Sequence, residues 1–506
     1  MIADEQIYDV IVSIHVYLIG FSKLMLKKII IAICLIIIFI PCKAAAIEDI
    51  KIEKGAVLTL NDCISIALNN NPAIRNARYN YGLSKSNVGI ARSEFFPTLG
   101  VGTGYKFNDT STNRYTMNTN TYSVEATLNQ LLWNFGRTNA HIKMQKFYMI
   151  ADEYMFYNSV RETTFLVKQR YFEVLAARAT MFINKAYVDI NERNYLRTKA
   201  YFEEGLKSKI DLVNAEVTLS DSKISLVESE KTYKNALVNL NNSMYVSRAP
   251  LYSIEGTEGF NVQNNLAPVD LTQITKPDDK EINKLPVNVK DAKLSTAVEK
   301  LEYLTNYEVS EFPYTFEDCI KMAYENRADL KAYNSTLDAV KANLLYTKKL
   351  YYPALSANAG YGWRDTNSTS SFNVGVNLSS SLNIMNQKYQ VDAAKYQVDI
   401  AENSLNQLNQ DIYFEVQNAY INMVQLEKQI PLLSVKVRQT LENYELAEGR
   451  YYVGLGDYIQ LQDAKVNYNN AQVSYIEIIY KYNVARANLE SVIAMPQKVT
   501  VTLEDK

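Results

Sequence analysis

Pro97-Thr-Leu-Gly-Val-Gly-Thr-Gly-Tyr-Lys-Phe-Asn108 sets Leu99, Val101, Thr103, Tyr105 and Phe107 on one side of an extended chain. Gly100, Gly102, Gly104, Lys106 and Asn108 fall on the other. A period of two over about ten residues predicts a β-strand with one apolar face, and proline is tolerated at its start. After a polar turn over 109–120, a second run sets Tyr122, Val124, Ala126 and Leu128 against Ser123, Glu125, Thr127 and Asn129. Residues 97–131 therefore read as a hairpin.

The hairpin returns. From Pro353, the residues Leu355, Ala357, Ala359, Tyr361 and Trp363 share one face. A loop over 365–371 leads to Phe372, Val374, Val376 and Leu378, opposed by Asn373, Gly375, Asn377 and Ser379, which gives a second hairpin over 353–384. Upstream, Leu58-Thr-Leu-Asn-Asp-Cys-Ile-Ser-Ile-Ala67 reappears as Tyr314-Thr-Phe-Glu-Asp-Cys-Ile-Lys-Met-Ala323, and the same offset pairs Pro97 with Pro353 and Gly104 with Gly360. The unit is far longer than a solenoid repeat. It reads as two copies of one module, 58–245 and 314–495, joined by a proline-containing linker over 246–313 and followed by a tail over 496–506.

Each module orders a helix, two strands, a very long helix and another long helix. In copy one the first helix is expected from about Asn61, a plausible N-cap, to Glu94. Leu405, Leu408, Ile412, Val416, Ala419, Met423, Leu426 and Ile430 step by threes and fours within a run from Gln387 to about Tyr452 that contains Pro431. Such a helix is about 100 Å long at 1.5 Å per residue. Copy one offers a similar run from Arg137 to Glu204. The last helix holds a 3,4 period through Leu461, Ala464, Tyr468, Ala471, Tyr475, Ile478, Tyr482, Ala485 and Leu489, matched by Leu212, Ala215, Leu219, Ser222, Leu226, Ser229, Tyr233, Ala236 and Leu240. A strict seven-residue repeat predicts coiled coils.

Lys27-Lys28, the apolar run Ile29 to Ile40 and Ala44-Ala45-Ala46 have the grammar of a secretory signal peptide within 1–46, with Met25 as the expected start. The run is short for a membrane span. Cys42 stands where a lipid anchor would attach, but Pro41 occupies the place of a small residue. Beyond the signal, Cys63 and Cys319 occupy equivalent helical positions and read as small buried side chains, with a disulfide as the minor alternative. His141 is the lone histidine of the mature chain, too few for a metal site or a triad. No catalytic residue, metal site or cofactor is expected. With 53 basic against 55 acidic residues, the chain has no basic field to hold nucleic acid.

Alternation alone allows a hairpin packed on a soluble core. The strand length, the small polar opposite face and the export signal favour transmembrane strands. Four strands per chain leave two edges that lipid cannot satisfy. Eight strands would fill with side chains, so twelve strands in a homotrimer is the smallest open barrel. Long helices would continue it as a tube into the periplasm. The expected fold is thus an α+β membrane protein: a trimeric 12-stranded β-barrel, four strands per chain, continued by a coiled-coil tunnel. A trimeric coiled-coil surface protein anchored in the outer membrane, such as an adhesin, is the alternative. Hairpins in both repeats argue against it.

The order helix–hairpin–helix–helix, twice, resembles the TolC family of outer membrane efflux proteins. So do Asn69-Asn70-Asn71-Pro72, Phe95-Phe96-Pro97, Tyr351-Tyr352-Pro353 and Leu132-Trp133-Asn134-Phe135-Gly136-Arg137. The resemblance implies a trimeric exit duct embedded in outer membrane lipid and extending into the periplasm. It implies efflux or type I secretion with a periplasmic adaptor and an inner membrane transporter of RND, ABC or MFS type. It also implies a gate where the long helices turn, at Gly205-Leu206-Lys207-Ser208-Lys209-Ile210-Asp211 and Gly454-Leu455-Gly456-Asp457-Tyr458-Ile459-Gln460. In relatives a tyrosine bonds an aspartate there, at positions that look like Tyr451 and Asp211, so Asp211→Ala and Tyr451→Phe are expected to raise conductance. An arginine that supports closure in relatives corresponds to Gly456. Of two aspartates forming an acidic ring, one is Gln460 here and the other is Asp463. The first barrel-to-helix junction carries Gly136-Arg137 and the second Lys388-Tyr389, so the two junctions are expected to differ.

Overall fold

Thr59 and Thr315 open equivalent helices by the same device. Each threonine hydroxyl accepts the backbone N–H of an aspartate three residues on, Asp62 or Asp318, whose carboxylate accepts the threonine N–H in return. This reciprocal capping box satisfies two orphan donors of the first turn. It places the cap at Thr59 rather than at Asn61. The computed structural model describes residues 52–111, 116–256, 312–365, 368–380 and 383–496. The signal peptide, most of the linker and the C-terminal tail lie outside the described residues.

Copy one consists of β1 (Val57–Leu58), α1 (Leu60–Asn70), α2 (Pro72–Ser93), β2 (Thr98–Ser111), β3 (Thr116–Trp133), α3 (Arg137–Glu203) and α4 (Lys209–Ser243). A short β4 (Ser253–Ile254) pairs in parallel with β1. Copy two consists of α5 (Phe316–Asn326), α6 (Ala328–Lys348), β5 (Ala354–Arg364), β6 (Thr369–Ser379), α7 (Ile384–Tyr452) and α8 (Tyr458–Val492). Among the described residues no helix is long and apolar enough to cross a membrane.

The single helix expected over 61–94 is two helices, α1 and α2. Pro72 lacks an N–H and disfavours the helical region for the residue before it. Asn71 accordingly adopts an extended conformation, and its side chain caps the N–H of Ala73. Copy two bends at the equivalent place without a proline. There Arg327 is extended and is fixed by two bonds to Asp329, of 3.0 and 2.6 Å, and one of 2.6 Å to Glu415.

The sheet runs β2-β3-β5-β6, antiparallel throughout. Its register aligns the apolar residues across all four strands. Val101 pairs Ala126, Ala126 pairs Tyr361, and Tyr361 pairs Phe372. The opposite face sets glycines beside bulkier neighbours, as in the rung Gly102–Glu125–Gly362–Ser371. The apolar face is open in the protomer: Val101 and Phe372 are each more than 70% exposed. β2 and β6 each have one unpaired edge. The strands outrun the expected turns, because the ladder continues through Asp109–Asn118 and Arg364–Thr369. The hairpins thus span 98–133 and 354–379 rather than 97–131 and 353–384.

The helical core follows the heptads. Every residue of the expected α8 face from Leu461 to Leu489 is buried, and so are Ala215, Leu219, Ser222, Ser229, Tyr233, Ala236 and Leu240 of α4. Helix α7 runs through both Pro431 and Gly449 over 69 residues. Cys63 and Cys319 are free, buried thiols, with no disulfide between them.

Candidate periplasmic mouth

Two tight turns end the long helices. Gly205 and Gly454 adopt φ of 73° and 78°. This left-handed region suits glycine at a helix C-terminus. In each turn the next N–H reaches back into the helix: Leu206 to the Tyr201 carbonyl at 2.8 Å, and Leu455 to the Arg450 carbonyl at 2.9 Å. Gly456 sits in a tight place. A Cβ there would meet Arg450 Cβ and Tyr451 N at 3.2 Å. A side chain at this position would require the end of the preceding helix to shift by a few tenths of an ångström.

Asp211 belongs to a capping box at the start of α4. Its carboxylate accepts the Ser208 hydroxyl at 2.8 Å and the Ser208 N–H at 3.3 Å. Tyr451 ends α7 and is buried. Burial, then the nearby Asp211 charge, hold its hydroxyl above the usual tyrosine range against the lowering effect of Thr198 beside it. Among the described residues no hydrogen bond joins Asp211 to Tyr451. The Tyr451 ring meets Lys207 instead, with the ammonium 3.9 Å from the ring centroid. Gln460 and Asp463 are exposed on the first turns of α8.

The sequence reading missed the partners around this pair. Tyr452 lies under the Arg197 guanidinium at 4.0 Å and donates its hydroxyl to Asn194 at 2.8 Å. Tyr458 packs edge-on against Tyr451 with centroids 6.0 Å apart, and its hydroxyl meets Thr218 at 3.2 Å. Lys465, two residues beyond Asp463, is 2% exposed, and among the described residues its ammonium has no hydrogen-bond partner. Burial, opposed by Glu448 and reinforced by Arg197, lowers its pKa from 10.5 to about 8. The tandem Tyr451-Tyr452 was the one visible signal. Helix packing alone brings Arg197 and Lys207 to it.

At the other end of the helices the junctions differ, as the sequence suggested. Gly136 (φ 76°) caps α3 without a side chain, and Lys349 of copy two donates to the Phe135 carbonyl at 2.8 Å. In copy two the Asn383 side chain caps α7. Pro97 and Pro353 each stand immediately before their strands. Trp133, Phe135 and Tyr352 cluster here, with the last two stacked at 5.3 Å. Such rings suit the level of lipid headgroups.

The model of the family described as outer membrane efflux protein matches residues 63–244 and 319–494. The chain is 28% identical over 156 residues to alkaline protease secretion protein AprF of Pseudomonas aeruginosa, and it spans about a third of that relative's length (32%). The CmeC outer membrane channel of Campylobacter jejuni superposes with a TM-score of 0.67 at 16% identity, covering 86% of this chain and 85% of that one. The MtrE outer membrane channel of Neisseria gonorrhoeae, solved in its open state, gives 0.64 at 17%, covering 86% and 88%. The protomer has the fold of these outer membrane channel subunits, four antiparallel strands continued by long helices. By a match that covers both repeats, the chain belongs to the outer membrane efflux protein family.

Proposed function

We propose that the chain is the passive exit duct of a tripartite efflux or type I secretion machine. In this reading three copies close the barrel, and the tunnel receives cargo through a periplasmic adaptor and an inner membrane transporter of RND, ABC or MFS type. One observation carries the proposal. A sheet with an exposed apolar face and two open edges is continuous with helices of about 100 Å that end in two facing glycine turns. A hairpin in each repeat fits a wall segment of a pore better than the single anchor of a stalk-like adhesin.

The mouth would be bounded by Tyr451, Asp211, Gln460 and Asp463. Three exposed Asp463 carboxylates would form a ring attractive to cations, as charged rings do in pores. The similarity to AprF supports a polypeptide cargo as a second reading beside small molecules.

Purified protein in planar bilayers tests the proposal. Wild-type trimers should show small conductance steps, and Tyr451→Leu should enlarge them. Asp463→Asn should reduce cation preference. Absence of any step from trimeric protein would exclude a duct.

A further inference from the structure

Resting on the mouth reading above, we infer that closure depends on a pair of cation–aromatic clasps, Lys207 on Tyr451 and Arg197 on Tyr452, and not on a hydrogen bond from the Tyr451 hydroxyl. Four observations meet here. Asp211 already accepts two bonds within its own helix cap. The Tyr451 hydroxyl is buried and makes no bond to Asp211. The face of the Tyr451 ring is held by a copy-one cation, Lys207 at 3.9 Å, while its hydroxyl has only Thr198 beside it. The next residue repeats the arrangement, with Arg197 at 4.0 Å from the Tyr452 ring.

The geometry of the tandem makes two clasps possible. The rings of Tyr451 and Tyr452 are 5.6 Å apart and inclined at 65°. Their faces therefore point in different directions, and each can take its own cation. Both cations come from copy one, Arg197 from α3 and Lys207 from the α3–α4 turn, while both rings end α7 of copy two. Every clasp thus crosses between the two helical hairpins. Moving α7 and α8 away from α3 and α4 must pull both cations off their rings. An ammonium or guanidinium within about 6 Å of a ring centroid is attracted by the ring quadrupole, most strongly when partly shielded from water. Lys207 is half-buried against a buried Tyr451, so that condition is met for the first clasp, whereas Arg197 is exposed over a half-buried Tyr452 and makes the weaker one. Copy two offers a glycine, Gly456, in its own turn, and both cations on these rings come from copy one.

The test uses purified full-length trimers in planar bilayers, with trimer migration in mild detergent as the folding control. Tyr451→Phe keeps the ring and Lys207→Arg keeps the charge, so both should retain wild-type conductance. Tyr451→Leu, Lys207→Met and Arg197→Met should each raise conductance several-fold, and the double methionine variant more than either. If Tyr451→Phe opens the channel as far as Tyr451→Leu, the hydroxyl is the latch and the clasp is wrong. If Tyr451→Leu opens it while both methionine variants stay closed, the cations are irrelevant. If even Tyr451→Leu changes nothing, the mouth assignment itself fails.

Discussion

Lys465 shows how a single side chain can set a pH dependence. An unfolded chain holds this proton up to about 10.5, and the folded protomer only up to about 8. Between those values the unfolded state binds more protons, so stability rises with pH across the window and is flat below it. The full shift corresponds to at most about 3 kcal/mol. The rise is readable between pH 8 and 10, below the ionisation of Tyr452 and Tyr468, which burial pushes up to about 12. Lys465→Met should raise the temperature at which detergent-solubilised protein unfolds at pH 7.5 and abolish its increase toward pH 10. An unchanged slope would show that another group titrates. Lys465 sits between Ala464 and Tyr468, and nothing local distinguishes it from a surface lysine. Its burial follows from the packing of α8, which one helix's sequence does not reveal. Cys63 and Cys319 were easier, because they lie on apolar faces beside capping boxes that the repeat displays twice.

Strands and long helices were legible because their periods are strict. Alternation fixed which strand residues share a face, and the observed register confirms it from Leu99–Leu128 to Leu355–Leu378. The turns were less legible. Polar residues such as Asp109 and Asn118 read as loop, yet they extend the ladder, since a paired backbone beyond the membrane needs no apolar side chain. The bend at Arg327 was invisible because its partner Glu415 lies far along the chain. The face assignment makes a paired prediction. Val374 lies mid-strand on the apolar side and Asn373 on the polar side. A lysine at a lipid-facing midplane position costs about 2–4 kcal/mol. Val374→Lys should therefore deplete heat-resistant trimers from the outer membrane, and Asn373→Lys should leave them in place. Equal loss in both variants would mean that the face is not turned toward lipid.

At the scale of the molecule, the two repeats are pinned together by charge. Arg161 of α3 donates to the Ser491 carbonyl at 3.0 Å and lies 3.9 Å from Asp329. Arg327 pairs Asp329 and Glu415 and reaches the Val492 carbonyl at 3.3 Å. Four helices of both copies thus meet at one node. Burial acts to raise the Asp329 pKa, but the bond and charge of Arg327 outweigh it, and the carboxyl is held below its usual range. Removing one partner of a buried pair typically costs about 3–5 kcal/mol because the other charge is left stranded. Asp329→Ala leaves Arg327 paired with Glu415, so it should destabilise the helical body by less than that, still seen as a lower midpoint in urea. A midpoint equal to wild type would make the node dispensable. The repeat itself, visible in sequence, indicates that two such halves exist; only the fold shows what joins them. The open edges of β2 and β6 carry a last consequence, in genetics. A subunit that cannot complete its own wall must share the fate of its neighbours. In a cell making equal amounts of intact and defective chains, randomly mixed rings of the proposed three copies would be wholly intact in only about one case in eight. A damaged allele of this gene should therefore behave as dominant, and the severity of the defect should track the number of faulty chains admitted per ring.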